Sequence, residues 1–600
     1  MVDELVRQGV RHVVVCPGSR SAPFAYAVQA AERAGRLTLH VRVDERSAGF
    51  LALGLAKLTR VPAVVVTTSG TAVANLHPAV LDAHHGVVPL LVLSADRPIE
   101  LRGTGANQTT VQPGMFGDAV RAMFDVEAPT DDALAGAEAD GWRAVVGSAV
   151  AASRGVGDEP GPVHLNVQLR EPLVPDPRDQ AGDQTLTNET GAQGISPENS
   201  ITATDVDGIQ QLDEFDATIE RTLVVIGDLP EPDQFARAVE WATAHGWPVV
   251  AEPFGEHPRP DVLPGGPLVL ADSDWLDAHA PERVVTVGRL TLSRPVSALL
   301  RRPGVTVEAV GTHRWVANRP SVIRVHPASV LDQRPRRPRS WEWTDQWQAA
   351  GEQVAAALAV APPSWPTGTA VAATVLDALP GEAVLFLGSS NGVRDVDFMA
   401  FARTEPLTVV ASRGLAGIDG CVSTAAGIAL AGDRPAYALM GDLTFLHDGG
   451  GLMVGPLERR PDLTVVVVND DGGGIFTTLE PGAPELAADF ERVFATPTGT
   501  DLAALCAAHG VRHVRTETSN ELATAVARRP EGITVVEVPV DRSTHRAERD
   551  RLRTVAAKAL QRAESLRGVA GALRDAEHEW DADAAAWVRN QRRGDARRAG

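Results

Sequence analysis

Short runs of β-branched and aliphatic residues, each closed by small, polar or glycine residues, recur along the chain to about residue 540, with helical spacing between them. Unbroken apolar runs suit strands buried on both faces, and their alternation with helices predicts parallel sheets. Residues 1–175 carry four such runs: Val13–Cys16, Leu37–Val41, Ala63–Thr67 and Leu90–Ser94. Residues 176–205 are rich in Gln, Thr, Asn, Gly, Ser and Pro and read as a linker. A second unit, 206–345, contributes Thr222–Gly227, Pro248–Ala251 and Val284–Gly288, and closes near the proline- and arginine-rich run Arg334–Arg339. Residues 346–366 are assigned to a further linker. A third unit, 367–545, holds a strand ending at Met440 and another at Leu463–Val468. From 546 to 600 the chain is rich in Ala, Arg and Glu and reads as a charged helical tail without chemistry. Val2, Leu5, Val6 and Val10 share one helical face at the start, so a turn or two of helix is expected upstream. The expected fold class is α/β, with three doubly wound parallel-sheet domains.

Composition narrows the picture. A chain of 600 residues exceeds what one core supports. A hydrophobic fraction of 44%, with no run long enough to cross a bilayer and no secretory leader pattern, predicts a soluble protein. Cys16, Cys421 and Cys506 lie too far apart for a zinc motif or disulfide framework, which points to the reducing cytoplasm. A formal net charge of −21 argues against nucleic acid as a partner and leaves any anionic substrate dependent on locally placed arginines.

The candidate chemistry lies at strand ends. Asp442 follows one strand of the third unit, and Asp470 follows the next strand, 28 residues later, which suits a helical crossover between neighbouring parallel strands. Both carboxylates then face the edge where open α/β sheets bind ligands. Magnesium is commonly held by one or two carboxylates together with phosphate oxygens, and Gly472, Gly473 and Gly474 allow close backbone approach. A metal-bridged diphosphate fits this pattern, although acidic strand ends before glycines also occur as plain turns. In the first unit Glu45 sits where a strand meets an apolar helix. Alone it is an ordinary first-turn acid that complements the helix dipole. Beside a metal-diphosphate site it acquires a second meaning, because thiamin diphosphate needs a carboxylate against its aminopyrimidine ring.

Several phrases, in order, carry a family resemblance: Cys16–Ser21, Asp44–Arg46, Thr68–Asn75, Ser94–Pro98, Gly105–Gln108, Ser412–Gly414, Gly417–Gly420 and Asn469–Phe476. Together they closely resemble a thiamin diphosphate-dependent family of menaquinone biosynthesis, the 2-succinyl-5-enolpyruvyl-6-hydroxy-3-cyclohexene-1-carboxylate synthases. The resemblance spans about residues 1–540 and is weakest in the middle unit. It implies a pyrimidine-binding domain (1–175), a central domain and a diphosphate- and metal-binding domain (367–545), in a homodimer or dimer of dimers with active sites between subunits. It implies thiamin diphosphate with magnesium or manganese, decarboxylation of 2-oxoglutarate, and 1,4-addition of the remaining succinyl-semialdehyde carbanion to isochorismate. Neither nucleic acid nor a membrane is an implied partner.

The same resemblance implies individual roles. Glu45 is the catalytic carboxylate; Ser69, Gly70, Gly441, Asp442, Leu443, Gly472, Gly473, Ile475 and Ile418 join it in holding the cofactor, with Ile418 as the apolar support on which it bends. Asp442, Asp470 and the Gly472 carbonyl form the metal set, with Asn469 as the alternative to Asp470. Ser19, Arg20, Arg97, Asn107, Gln108, Arg294, Ser390, Arg394 and Arg413 match substrate-contacting positions. Guanidinium groups suit two dicarboxylate substrates, whereas a lone arginine is as readily a surface ion pair.

Two positions depart from the pattern. Asp470 stands where many thiamin diphosphate enzymes have Asn, and Ser293 stands where some relatives have Lys, leaving that cationic contact absent or supplied by Arg289. The nearest rival reading is another thiamin diphosphate carboligase or decarboxylase, such as an acetolactate synthase type. Arg20, Arg394 and Arg413 argue against its small monocarboxylic acceptor. A non-catalytic nucleotide-binding protein is compatible with fold alone, but not with Glu45 paired to a metal motif.

Overall fold

The computed structural model describes residues 1–128, 137–174, 210–211, 215–311, 321–335, 341–399 and 403–562. Three sheets organise them. The first contains β1 (His12–Val15), β2 (Thr38–Val41), β3 (Ala63–Thr67), β4 (Leu90–Asp96), β5 (Ala122–Val126) and β6 (Pro162–Gln168), in the order β2-β1-β3-β4-β6-β5 and parallel throughout. The second comprises β7 (Gln210–Gln211), β8 (Thr222–Ile226), β9 (Val249–Ala251), β11 (Arg283–Val287), β12 (Thr306–Gly311) and β13 (Val322–Pro327), ordered β7-β13-β12-β11-β8-β9 and also parallel. The third joins β14 (Ala383–Leu387), β15 (Leu407–Ala411), β16 (Ala436–Gly441), β17 (Leu463–Asn469), β18 (Arg512–Arg515) and β19 (Ile533–Pro539). Its edge strand is β10 (Gly255–His257), which leaves the central unit and pairs antiparallel with β15. The central unit is therefore stitched into the third sheet.

The apolar runs behave as their composition requires. β3, β4, β6, β8, β11 and β14 are buried at every residue, because helices cover both faces. β16 and β17 are adjacent and parallel, with Gly441 level with Val468, so Asp442 and Asp470 leave the sheet side by side.

The expected linker at 346–366 is a correction: most of it belongs to the helix Glu342–Val360. Trp343, Trp347, Ala350, Val354 and Leu358 recur at helical spacing and are buried in the core shared by the second and third units. The linker at 176–205 lies outside the described residues, as do residues 336–340 of the Pro/Arg break and its flank. The tail begins as a helix over 545–562, with Leu552, Ala556 and Leu560 buried in that same core, and residues 563–600 lie outside the described residues. No helix among the described residues is long and apolar enough to cross a membrane, and all three cysteines are free and buried.

The first and third units pack through the helices Glu45–Thr59 and Cys421–Leu430. The crossing is close because glycines meet there: a β-carbon on Gly54 would lie 2.1 Å from the Thr424 carbonyl oxygen, and one on Gly427 would lie 2.3 Å from that of Leu51. Asp44 caps the first helix by accepting from the Arg46 and Ser47 N–H groups. Arg46 donates to the His447 carbonyl at 3.1 Å, and Ser47 to the buried Asp448 carboxylate at 3.3 Å. The start of the Glu45 helix is thereby docked on the third unit.

Candidate active site

At the carboxyl edge of the third sheet a cavity of about 260 Å³ is lined by Ser390, Arg394, Arg413, Ile418, Gly441, Asp442, Leu443, Asp470, Gly472, Gly473 and Ile475, among others. Eleven of the residues singled out from sequence thus meet in one place. Asp442 opens the short helix after β16, and its Oδ2 accepts the Gly472 N–H at 2.8 Å. Gly472 has φ +145°, and a β-carbon there would lie 2.2 Å from the Ala495 carbonyl oxygen, so only glycine fits this turn. Burial and the neighbouring charge of Asp470 push the Asp442 carboxyl up to about 7. Two neighbouring acidic side chains in a buried setting are the kind of donor set that could hold a divalent cation.

The two adjacent candidates differ in what they already hold. Asn469 is engaged at both ends: its amide donates to Glu537 at 2.7 Å and its oxygen accepts from the Asp471 N–H at 3.0 Å. Asp470 has Oδ2 2.8 Å from His545 Nε2, while its Oδ1 is buried without a partner. An orphaned acidic oxygen at the cavity wall is what a metal-diphosphate group would satisfy. On the donor side, the Asn391 amide nitrogen is likewise buried and unpartnered. Residues present fit the group. Among the described residues there is no group of three or more His, Cys, Asp or Glu that could hold a metal ion by itself.

The cationic wall consists of Arg394, which donates to the Ser390 carbonyl at 2.7 Å, and Arg413, which donates from Nε and Nη2 to Thr291 Oγ1 and O, both at 3.0 Å. Burial first, then Arg413 and Arg549, holds Arg394 down to about 10, so it stays charged at neutral pH. Ser390 has φ +152°, a strained value at a residue of the cavity wall. Ile418 is half-buried on the cavity wall and belongs to none of the hydrophobic cores, which separates it from an ordinary packing isoleucine.

The remaining candidates are elsewhere. Ser69, Gly70, Arg97, Asn107 and Gln108 form a second cluster at the carboxyl edge of the first sheet: Ser69 donates to the Gln108 carbonyl and Gln108 to that of Ser69, both at 2.9 Å, and Arg97 donates to the Asn107 carbonyl at 2.9 Å. Arg20 is buried nearby, donates to the Leu169 carbonyl at 2.8 Å and feels the charge of Arg97, while Ser19 is exposed. Glu45 is half-buried at its helix start. Arg294 pairs with exposed Glu480 at 3.2 Å, and Ser293 caps the helix Arg294–Leu299. Arg289, the alternative cation, donates to the carbonyls of Gly414 and His85. Every residue lining the cavity lies between Ser389 and His545, so none comes from the first unit of the same chain.

Two residues near the cavity carry no sequence signal. His545, the last residue of the expected third unit, and Arg549, in the stretch read as a tail without chemistry, reach the site: His545 lies beside Asp470, and Arg549 donates to Asn391 at 3.0 Å, Asp395 at 2.9 Å and Thr478 at 3.1 Å. Neither belongs to a motif.

Comparison with known proteins decides the family. The family described as thiamine pyrophosphate enzyme, N-terminal TPP binding domain, matches residues 1–117, and the corresponding C-terminal TPP binding domain matches 395–538. A 2-succinyl-5-enolpyruvyl-6-hydroxy-3-cyclohexene-1-carboxylate synthase of Saccharopolyspora erythraea is 45% identical, covering 93% of this chain and 98% of the relative. One from Kineococcus radiotolerans is 47% identical, covering 92% and 97%. The chain belongs to the 2-succinyl-5-enolpyruvyl-6-hydroxy-3-cyclohexene-1-carboxylate synthase family. As a member of that synthase family it is a thiamin diphosphate-dependent enzyme. Among solved structures, benzoylformate decarboxylase from Polynucleobacter necessarius superposes with a TM-score of 0.61 at 19% identity, covering 90% of this chain and 98% of that one. A putative thiamin diphosphate-dependent enzyme from Mycobacterium smegmatis gives 0.59 at 18%. At such identities these two speak for the fold, which the synthase shares with them.

Proposed function

We propose that this enzyme decarboxylates 2-oxoglutarate and adds the resulting four-carbon unit to isochorismate, forming 2-succinyl-5-enolpyruvyl-6-hydroxy-3-cyclohexene-1-carboxylate and carbon dioxide. The observation that carries the reading is the convergence of Arg394 and Arg413 on one cavity with Asp442 and Asp470. Both substrates are dicarboxylates, and in a chain of net charge −21 these arginines supply the local attraction. Asp442, Asp470 and the Gly472 carbonyl would hold magnesium or manganese; Gly441, Leu443, Gly473 and Ile475 would border the diphosphate, with Ile418 under the cofactor's bend. Bound thiamin diphosphate supplies the nucleophilic carbon and accepts the electrons left when carbon dioxide departs. Arg394 and Arg413 orient the carboxylates, and Ser390 would donate to substrate oxygen.

The active unit in this reading is a homodimer or a dimer of dimers. Glu45, Ser69, Gly70, Ser19, Arg20, Arg97, Asn107 and Gln108 all belong to the first unit, yet the cavity takes no lining from it within one chain. A second copy would supply them, with Glu45 sharing a proton with the cofactor's aminopyrimidine. Val43 and Leu457 are exposed, close along the chain to the Val41 and Glu458 that bond each other at 2.8 Å, and offer apolar surface for such a copy. Arg294, paired with exposed Glu480, would reach substrate only by leaving that partner. Three buried free cysteines suit a cytoplasmic enzyme.

The test follows isochorismate absorbance with purified protein, thiamin diphosphate, magnesium and 2-oxoglutarate, omitting each in turn. Consumption only in the complete mixture is expected. Decarboxylation of 2-oxoglutarate with isochorismate untouched would replace the acceptor and keep the cofactor assignment.

A further inference from the structure

Arg413 is held from behind by the central unit. Two of its three guanidinium nitrogens are bonded to Thr291, at the side-chain hydroxyl and the backbone carbonyl, both 3.0 Å away. Thr291 in turn lies in the loop that follows β11, and that loop is fixed at a second point. The N–H groups of Thr291 and Leu292 both donate to Oε1 of Glu252, at 3.0 and 2.7 Å. Glu252 directly follows β9, is 2% exposed, and donates its own N–H to the Ile226 carbonyl at 2.8 Å, which ties it to the end of the neighbouring strand β8. The same loop reaches the residue after Arg413: Arg289 donates to the Gly414 carbonyl at 2.7 Å. Residues 289–292 therefore grip 413–414 from two sides, and Glu252 anchors the grip.

A buried carboxylate is a costly way to satisfy two N–H groups. The other oxygen of Glu252 is buried without a partner, an expense that simple packing does not require. Burial raises the carboxyl to about 7, and Arg413 is the counter-charge that opposes this, while Asp228 adds to it. Glu252 and the loop it holds contribute no atom to the cavity wall, yet the wall's Arg413 has its direction set through them.

We propose that Glu252 is a positioning residue for substrate binding, acting through Thr291 to fix the guanidinium of Arg413 at the cavity wall. The inference rests on the proposed function and takes the substrate carboxylate that Arg413 meets to be that of 2-oxoglutarate. It gives the central unit, which takes no part in lining the cavity, control over affinity for the anionic substrate.

The test uses the full-length holoenzyme and steady-state kinetics with 2-oxoglutarate varied at saturating isochorismate, together with thiamin diphosphate titrations. Glu252→Ala is expected to raise KM for 2-oxoglutarate roughly tenfold, with smaller changes in kcat and cofactor affinity. Glu252→Gln keeps an oxygen for the two N–H groups and should restore KM to within about threefold of the parent. Thr291→Val removes only the hydroxyl that receives Arg413 Nε, leaves the core untouched, and should raise KM even where Glu252→Ala folds poorly. The deciding comparison is made in an Arg413→Ala background, where Glu252→Ala should raise KM no further. Unchanged KM in both Glu252→Ala and Thr291→Val, or increases that multiply with that of Arg413→Ala, would overturn the inference while leaving the reaction in place. Absence of turnover by the parent enzyme in the same assay would instead remove the reaction assignment, and this inference with it.

Discussion

Nε2 of His545 stands 2.8 Å from Oδ2 of Asp470, so one oxygen of that carboxylate is engaged and the other is left buried and unpartnered. The imidazole thus orients a carboxylate toward the cavity in the way partners of metal ligands commonly do. His545→Ala is expected to weaken metal-dependent cofactor binding by about 10–100-fold. Titration of thiamin diphosphate at fixed magnesium, read by tryptophan fluorescence, checks it, and Asp442→Ala or Asp470→Ala should weaken binding at least as much. Unchanged affinity in all three would move the metal elsewhere.

Glu45→Gln should leave the fold, the assembly and metal binding intact while lowering kcat by about 10²–10⁴-fold, the usual range for loss of a proton-transfer group. Exchange of the cofactor's reactive proton with solvent deuterium should slow in parallel. Retention of near-parental turnover would exclude Glu45 from cofactor activation.

Arg413→Ala and Arg394→Ala should act on substrate rather than cofactor. Arg413→Ala is expected to raise KM for 2-oxoglutarate, and Arg394→Ala that for 2-oxoglutarate or isochorismate, by roughly 10–100-fold, the scale of a lost charge-assisted hydrogen bond. Thiamin diphosphate titration separates the two sites: a larger loss there than in KM would place the arginine beside the diphosphate.

Gly54→Ala tests the helix crossing. The added carbon would collide with the Thr424 carbonyl at 2.1 Å, a backbone atom that cannot swing aside. A destabilisation of about 1–3 kcal/mol is expected, read as a lower urea midpoint, whereas Gly432→Ala, with nothing within 4 Å, should be tolerated.

Acid should loosen the first unit. Burial holds His40 down to about 3 and His164 to about 4, against an ordinary value of 6.5. The unfolded chain therefore binds more protons than the folded one below about 6.5, and stability falls as pH falls. The contribution is complete above 6.5 and is lost progressively down to about 4 for His164 and about 3 for His40, with a slope near 1.4 kcal/mol per pH unit for each group. Urea midpoints between pH 7.5 and 4.5 check the sign, and His40→Gln should flatten the slope.

Strands were legible because burial on both faces forces unbroken apolar runs, and the runs at Ala63–Thr67 and Leu463–Val468 coincide with β3 and most of β17. The helix Glu342–Val360 was misassigned although its Ala, Gln and Glu are good helix formers and its buried tryptophans keep helical spacing, because the proline- and arginine-rich run just before it was read as the end of the unit. In the site, residues adjacent to a motif were readable, as Asp442 and Asp470 are. His545, Arg549, Thr291 and Glu252 were not, since their positions follow from tertiary packing across up to 158 residues, the Asn391–Arg549 separation, and no local pattern encodes that.

β10 has a consequence for descent as well as for shape. Gly255, Glu256 and His257 align with Val409, Thr408 and Leu407, and the Glu256 carboxylate accepts from the Thr408 hydroxyl at 2.7 Å. A recombination event that exchanged the middle of this chain for that of a distant cousin would import a foreign edge for the sheet that carries the cavity. Functional hybrids should therefore be confined to crossovers that inherit 255–257 and 407–409 from the same parent.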